Sequence, residues 1–103
     1  MVRVWVDDRH PIFRRGLVSC LGIEGYVVAG ESAMLKPAPD LSAVDVLVFE
    51  AERGGLARVL AATRGVAVRL VGLVASHDDP TIFDLIDRGV GAVLVRNELG
   101  PQA

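Results

Sequence analysis

Short apolar runs alternate with amphipathic stretches along the whole chain. Val2 to Val6 is a β-branched run that turns polar at Asp7 and Asp8, the pattern of a buried strand whose end reaches the edge of a sheet. Pro11 predicts a helix start, because a proline at a first helical position gives up no hydrogen bond. From there Ile12, Phe13, Gly16, Leu17, Cys20 and Leu21 share one helical face, and Arg14, Arg15 and Ser19 the other. Gly22 and Gly25 punctuate its end, and Tyr26 to Gly30 reads as a second strand. Between Glu31 and Ala43 the periodicity dissolves. Pro37 and Pro39 interrupt any helix that starts near Ser32, so at most one turn survives there.

Val44 to Phe49 is a near-continuous apolar run that starts beside Asp45 and ends at Glu50, as a central strand buried on both faces should. Arg53, Gly54 and Gly55 read as a turn. The next helix carries Leu56, Val59 and Leu60 as its buried stripe and ends by Gly65. Leu70 to Ala75 is a fourth strand. Asp79 then suits a helix cap with Pro80 at the first position; Ile82, Phe83, Leu85 and Ile86 supply the apolar face, and Gly89 closes the helix. Ala92 to Val95 is a fifth strand, running into Arg96 and Asn97. Strands alternating with helices imply parallel pairing through right-handed crossovers, with helices on both faces. The expected fold class is therefore α/β, a doubly wound five-stranded parallel sheet.

Composition narrows this picture. With 103 residues, 51% of them hydrophobic and 23% charged, the chain suffices for a single domain, 1–103, with one modest core. A net charge of −2, with no dense Lys/Arg cluster, argues against nucleic-acid binding by this segment itself. The lone Cys20 rules out an internal disulfide and, placed in an apolar helical pattern, is expected to be a small buried hydrophobe, which fits a cytoplasmic location. The first apolar run is too short for a signal peptide or a membrane span.

In such sheets, ligands and reactive groups collect at the carboxyl ends of the strands. Those ends supply Asp7, Asp8 and Arg9; Glu50; Val74, Ala75 and Ser76; and Arg96 and Asn97. The stretch from Val6 through Asp7, Asp8, Arg9, His10, Pro11, Ile12, Phe13, Arg14, Arg15 and Gly16 to Leu17 resembles the receiver domain of bacterial response regulators, most closely the LuxR-type (NarL-like) subfamily. Asp45 to Glu50 and Asp84 to Arg96 carry the resemblance further, and it covers nearly the whole chain. It implies a flavodoxin-like sheet of order 2-1-3-4-5, here with a degraded second helix and with the fifth helix absent from the chain.

The resemblance also implies a phosphoacceptor pocket, in which an Asp closing strand three takes a phosphoryl group. An acidic pair holds Mg²⁺ there, a Ser/Thr closes strand four and a Lys closes strand five. In this sequence Glu50 takes the phosphoacceptor position, Val74 the hydroxyl position, Arg96 the Lys position and Val93 that of an aromatic switch residue. An ungapped alignment at His10 and Pro11 keeps Asp8 as one acidic residue and puts Arg9 in place of the other; a one-residue gap restores Asp7 and Asp8. A guanidinium among the Mg²⁺ ligands repels the ion, Val74 offers no hydrogen bond, and Glu50 shifts its carboxylate by a methylene. The pocket is thus read as vestigial, with Glu50 in an ion pair to Arg96 or Arg9.

The expected function is a phosphorylation-independent, atypical receiver: a non-enzymatic, homodimeric regulatory domain of a transcription factor. It answers to a small-molecule or protein signal and reaches DNA only through a C-terminal helix-turn-helix domain beyond this chain. The alternative is a working phosphoacceptor using Asp7, Asp8 or Glu50. A third reading, a flavodoxin-like cofactor binder, lacks a phosphate-cradling loop, since Gly54 and Gly55 are only a turn. No cofactor or metal is expected. His10 reads as a helix-start residue, His77 with Asp78 and Asp79 as a solvated loop, and Trp5 as core packing.

Overall fold

The five apolar runs become five parallel strands of one sheet. The structure, a computed structural model, describes residues 1–52 and 54–98. Its elements are β1 (Arg3–Asp7), α1 (Pro11–Ile23), β2 (Val27–Ser32), β3 (Val46–Glu50), α2 (Gly55–Ala62), β4 (Arg69–Val74), α3 (Thr81–Asp87), β5 (Ala92–Val95) and a 3₁₀ turn, η1 (Arg96–Glu98). The strand order is β2-β1-β3-β4-β5, the expected doubly wound, flavodoxin-like arrangement, with β3 at the centre and Glu50 as its last residue. Arg53 of the predicted turn, and residues 99–103, where a fifth helix would have to begin, lie outside the described residues.

Alternation along the strands builds a core on each face. Val4, Val6, Val48 and Leu73 point to one side and meet Phe13, Leu17, Val18 and Leu21 of α1. Leu47, Phe49, Leu70 and Val74 point to the other and meet Leu56 and Val59 of α2 and Leu85 of α3. Val93 joins this second cluster half-buried. On the α1 side, Val46, Val71 and Leu94 are only half-buried.

Two expected apolar faces need correction. In α1, Ile12 is 90% exposed, and Gly16 and Cys20 are also exposed. The helix rests on the stripe Phe13, Leu17, Val18 and Leu21, rotated from the expected face. Cys20 is therefore not the buried hydrophobe that its neighbours suggested. In α3, Leu85 is fully buried and Ile82 half-buried, whereas Phe83 and Ile86 face outward. A helix touching a sheet along one line buries a narrow stripe, and both sequences carry apolar residues beyond it. At the start of α3, Asp79 acts one place earlier than predicted. Pro80 is the cap residue, and the Thr81 hydroxyl and amide both donate to Asp79 Oδ1, which holds that carboxyl below its usual range.

No helix forms between β2 and β3. Instead Met34 and Leu35 take left-handed φ values of 55° and 52°, a conformation that costs about 1–2 kcal/mol per residue. Buried Asp7 offsets that cost: its Oδ1 accepts the Leu35 amide at 2.8 Å and the Ser32 hydroxyl at 2.7 Å. Ser32 Oγ in turn accepts the indole N–H of Trp5 at 2.9 Å. Trp5 lies flat over Gly30, where β1 and β2 slip register, and a Cβ at Gly30 would overlap its six-membered ring. Gly30→Ala should therefore lower stability by about 1–3 kcal/mol in urea unfolding followed by Trp5 fluorescence. A neutral result would show that the ring has room to shift.

Candidate functional site

The strand ends converge as the topology requires, but they do not all contribute to one pocket. Asp7 turns toward β2 and the linker, where its carboxylate is occupied by Ser32 and Leu35. Asp8, immediately after β1, turns inward and has no exposed surface. Arg9 thus meets Glu50, with Asp8 beside them, and Asp7 stands outside.

A fully buried carboxylate needs compensation. Asp8 Oδ2 accepts Arg96 Nη1 at 2.7 Å, across 88 residues of sequence. Asp8 Oδ1 accepts two donors from His10, the backbone N–H and ring Nδ1, both at 2.7 Å. The first of these is the turn that an Asp makes with the amide two residues on. Since the carboxylate only accepts, Nδ1 carries the proton. Arg14 Nη1 donates to the Asp8 carbonyl at 2.8 Å while its Nε pairs with Glu31. Arg96 follows β5 directly and stacks its guanidinium 4.5 Å from the centroid of Phe13, a cation–π contact that suits a weakly hydrated cation.

Glu50 is 5% exposed. Its Oε1 accepts the Arg9 amide at 3.3 Å, and Arg9 Nε lies 2.9 Å from Oε2. That second contact is an ion pair but not an aligned hydrogen bond, since Oε2 has no hydrogen-bond partner. Of the two expected partners, then, Arg9 holds Glu50, and Arg96 is committed to Asp8. Arg96 Nη2 is buried without a hydrogen bond, 3.7 Å from Glu52 Oε1. Val74 is completely buried in the core and presents no polar atom. Gly55 opens α2 directly against the Glu50 carbonyl oxygen, and no Cβ would fit there.

His10 was missed as a pocket residue. It occupies the cap position of α1, as predicted, but makes no side-chain cap hydrogen bond. Its Nδ1 sits between Asp8 Oδ1 and, at 3.7 Å, Glu50 Oε2. The spacing Asp8-x-His10 was the available signal. His77 stays in an exposed loop and meets the Glu98 carboxylate.

The chain is 34% identical to the transcriptional regulatory protein NarL of Mycobacterium tuberculosis over 93% of this chain and 48% of that protein. It thus spans about half the length of the curated relatives it matches. The solved signal receiver domain of NarL from the same organism superposes with a TM-score of 0.79 at 27% identity, over 93% of this chain and 84% of that one. The chain is a LuxR-type response-regulator receiver domain. The receiver of RcsB from Escherichia coli shares the fold, with a TM-score of 0.70 at 17% identity over 93% and 82% of the chains. No protein-family model matches. Among the described residues, no helix of this receiver is long and apolar enough to cross a membrane.

The Mg²⁺ that the family implies does not fit these residues. Mg²⁺ demands octahedral oxygen ligation and sheds water reluctantly, and here each pocket carboxylate already holds a guanidinium. Arg96→Ala should cost about 3–5 kcal/mol, because it strands a buried charge. Arg15→Ala, in a pair whose Arg is 70% exposed, should cost about 0–1 kcal/mol. Urea denaturation of the two variants tests the contrast, and equal losses would show that burial does not set the value of the Arg96 pair.

Proposed function

We propose that this receiver works without phosphorylation, as the regulatory domain of a transcriptional regulator. The observation that carries this reading is the pair of guanidiniums built into the pocket: Arg9 on Glu50 and Arg96 on Asp8. In a phosphoacceptor pocket, positive charge serves to absorb charge on an incoming phosphoryl group. Here that charge is spent on side chains already present: Glu50, at the phosphoacceptor position, accepts the Arg9 amide on Oε1 and is ion-paired to the Arg9 guanidinium through Oε2. Val74 and Val93, at the hydroxyl and switch positions, lie in the apolar core and support the same reading.

On this reading the pocket is an atypical one that locks a single arrangement of the strand ends. The signal is then a small molecule or a protein partner, and the output is a change in a homodimer. DNA is reached through a helix-turn-helix domain beyond Ala103, by analogy with the longer NarL relative, which this chain matches over 48% of its length. The domain itself is non-enzymatic and cytoplasmic.

Incubation with a small acyl phosphate and Mg²⁺, read by intact mass, tests the proposal. The mass is expected to stay unchanged. A stoichiometric gain of one phosphoryl group, lost in Glu50→Gln or Asp8→Asn, would instead establish a working phosphoacceptor.

A further inference from the structure

No helix stands between β2 and β3, and a groove of about 460 Å³ runs between the linker that replaces it and α2. Leu35, Ala38 and Pro39 line it from the linker; Arg58, Ala61 and Ala62 line it from α2. The three helical residues stand at i, i+3 and i+4 and so share one face. Leu35 is buried, whereas Ala38, Ala61 and Ala62 are exposed, so the groove is an open, mostly methyl-lined slot. Small-molecule sites are commonly of this size and kind, largely apolar with a few placed polar groups. Arg58 is the charged side chain in this lining. Its Nη1 and Nη2 would stand 3.8 and 4.0 Å from a Cβ at Gly54 and Gly55, so the guanidinium lies over the start of α2, where the helix dipole also favours an anion. Asp40, next to Pro39, turns its carboxylate back to the Ser42 amide at 3.0 Å.

We propose that this groove binds an aryl carboxylate, with the ring between the linker and the α2 alanines and the carboxylate on Arg58. The inference rests on the reading of this receiver as one that answers to a signal other than a phosphoryl group, and it names the site and chemical class of that signal. A slot walled by alanine methyls and a proline ring suits a flat apolar body. A guanidinium has five donors in a planar fork, so it can take a carboxylate alongside the interactions it already makes. The linker wall is held in place beforehand. Met34 and Leu35 keep left-handed φ values of 55° and 52°, and the Leu35 amide is fixed by Asp7 Oδ1 at 2.8 Å. Strained backbone of this kind persists where the surroundings over-determine it, ligand clamps among them. Both walls also lead to the strand ends. Leu35 hangs from Asp7 at the end of β1, and α2 opens with Gly55 against the Glu50 carbonyl at the end of β3. A ligand bridging the walls therefore ties the linker to α2 beside the ion-paired pocket.

The test is titration of the chain with 2-naphthoate, and with the neutral 2-naphthamide for comparison, followed by amide chemical shifts in NMR. Saturable binding of the carboxylate is expected, with the largest shifts at Leu35, Ala38, Ala61 and Ala62 and weaker binding of the amide. Arg58→Gln should weaken 2-naphthoate by roughly 10–100-fold, the value of a hydrogen bond to a charged group, and change the amide much less. Ala62→Leu fills the slot from an exposed helix position, so it should fold, as far-UV circular dichroism will show, and should abolish binding of both compounds. No saturable binding of 2-naphthoate overturns the proposal. So do shifts centred elsewhere, equal affinity for acid and amide, or binding that survives Ala62→Leu. The phosphorylation test is separate: a chain that binds 2-naphthoate in the groove yet gains a phosphoryl group keeps this site and loses the proposed function, whereas one that does neither loses only this site.

Discussion

Asp8 is a charge with no exposed surface, and the pocket is organised around satisfying it. Removing a carboxylate from water costs several kcal/mol, on the order that only a close, well-placed cation and further hydrogen bonds can offset. Arg96 supplies the cation, and its own position is set by the end of β5 and by the Phe13 ring beneath it. One ion pair therefore ties together β1, α1 and β5, elements from opposite ends of the chain. Arg14, held by Glu31 and the Asp8 carbonyl, extends the tie to β2.

The same electrostatic logic shapes the rest of the pocket. Two buried carboxylates facing each other would repel, and each is paired with a guanidinium. In the proposed reading, a pocket that elsewhere in its family gains charge from a phosphoryl group and a metal ion has its charges covalently built in. Two atoms remain unmatched, Glu50 Oε2 and Arg96 Nη2. Buried polar atoms without partners are costly, so they mark where the lock is least complete and where a small polar species has most to gain.

The segment between β2 and β3 shows a second use of a buried carboxylate. With no helix to bury apolar residues there, Asp7 anchors the linker by accepting the Leu35 amide, and through Ser32 it also fixes Trp5. Adjacent aspartates in the sequence thus have unrelated tasks. Alternation along an extended chain sends their side chains to opposite faces of the sheet.

Much of this was legible in the sequence. Five apolar runs separated by amphipathic stretches gave the strands, their parallel pairing and the central place of β3, because burial on both faces demands near-continuous apolar residues. Prolines 37 and 39 correctly removed a helix, and the motif from Val6 to Leu17 pointed to the family. Periodicity was less reliable for the buried faces of α1 and α3, since it registers every apolar residue on a face, including Ile12, Cys20, Phe83 and Ile86, whereas a sheet covers only one line of them. The sequence also narrowed the pocket to a short set of charged residues. Which carboxylate took which arginine, the turning away of Asp7, and the approach of His10 to Glu50 were decided by the tertiary structure. Those choices depend on distances between strand ends and on the depth of each charge, and neither quantity is encoded in local spacing.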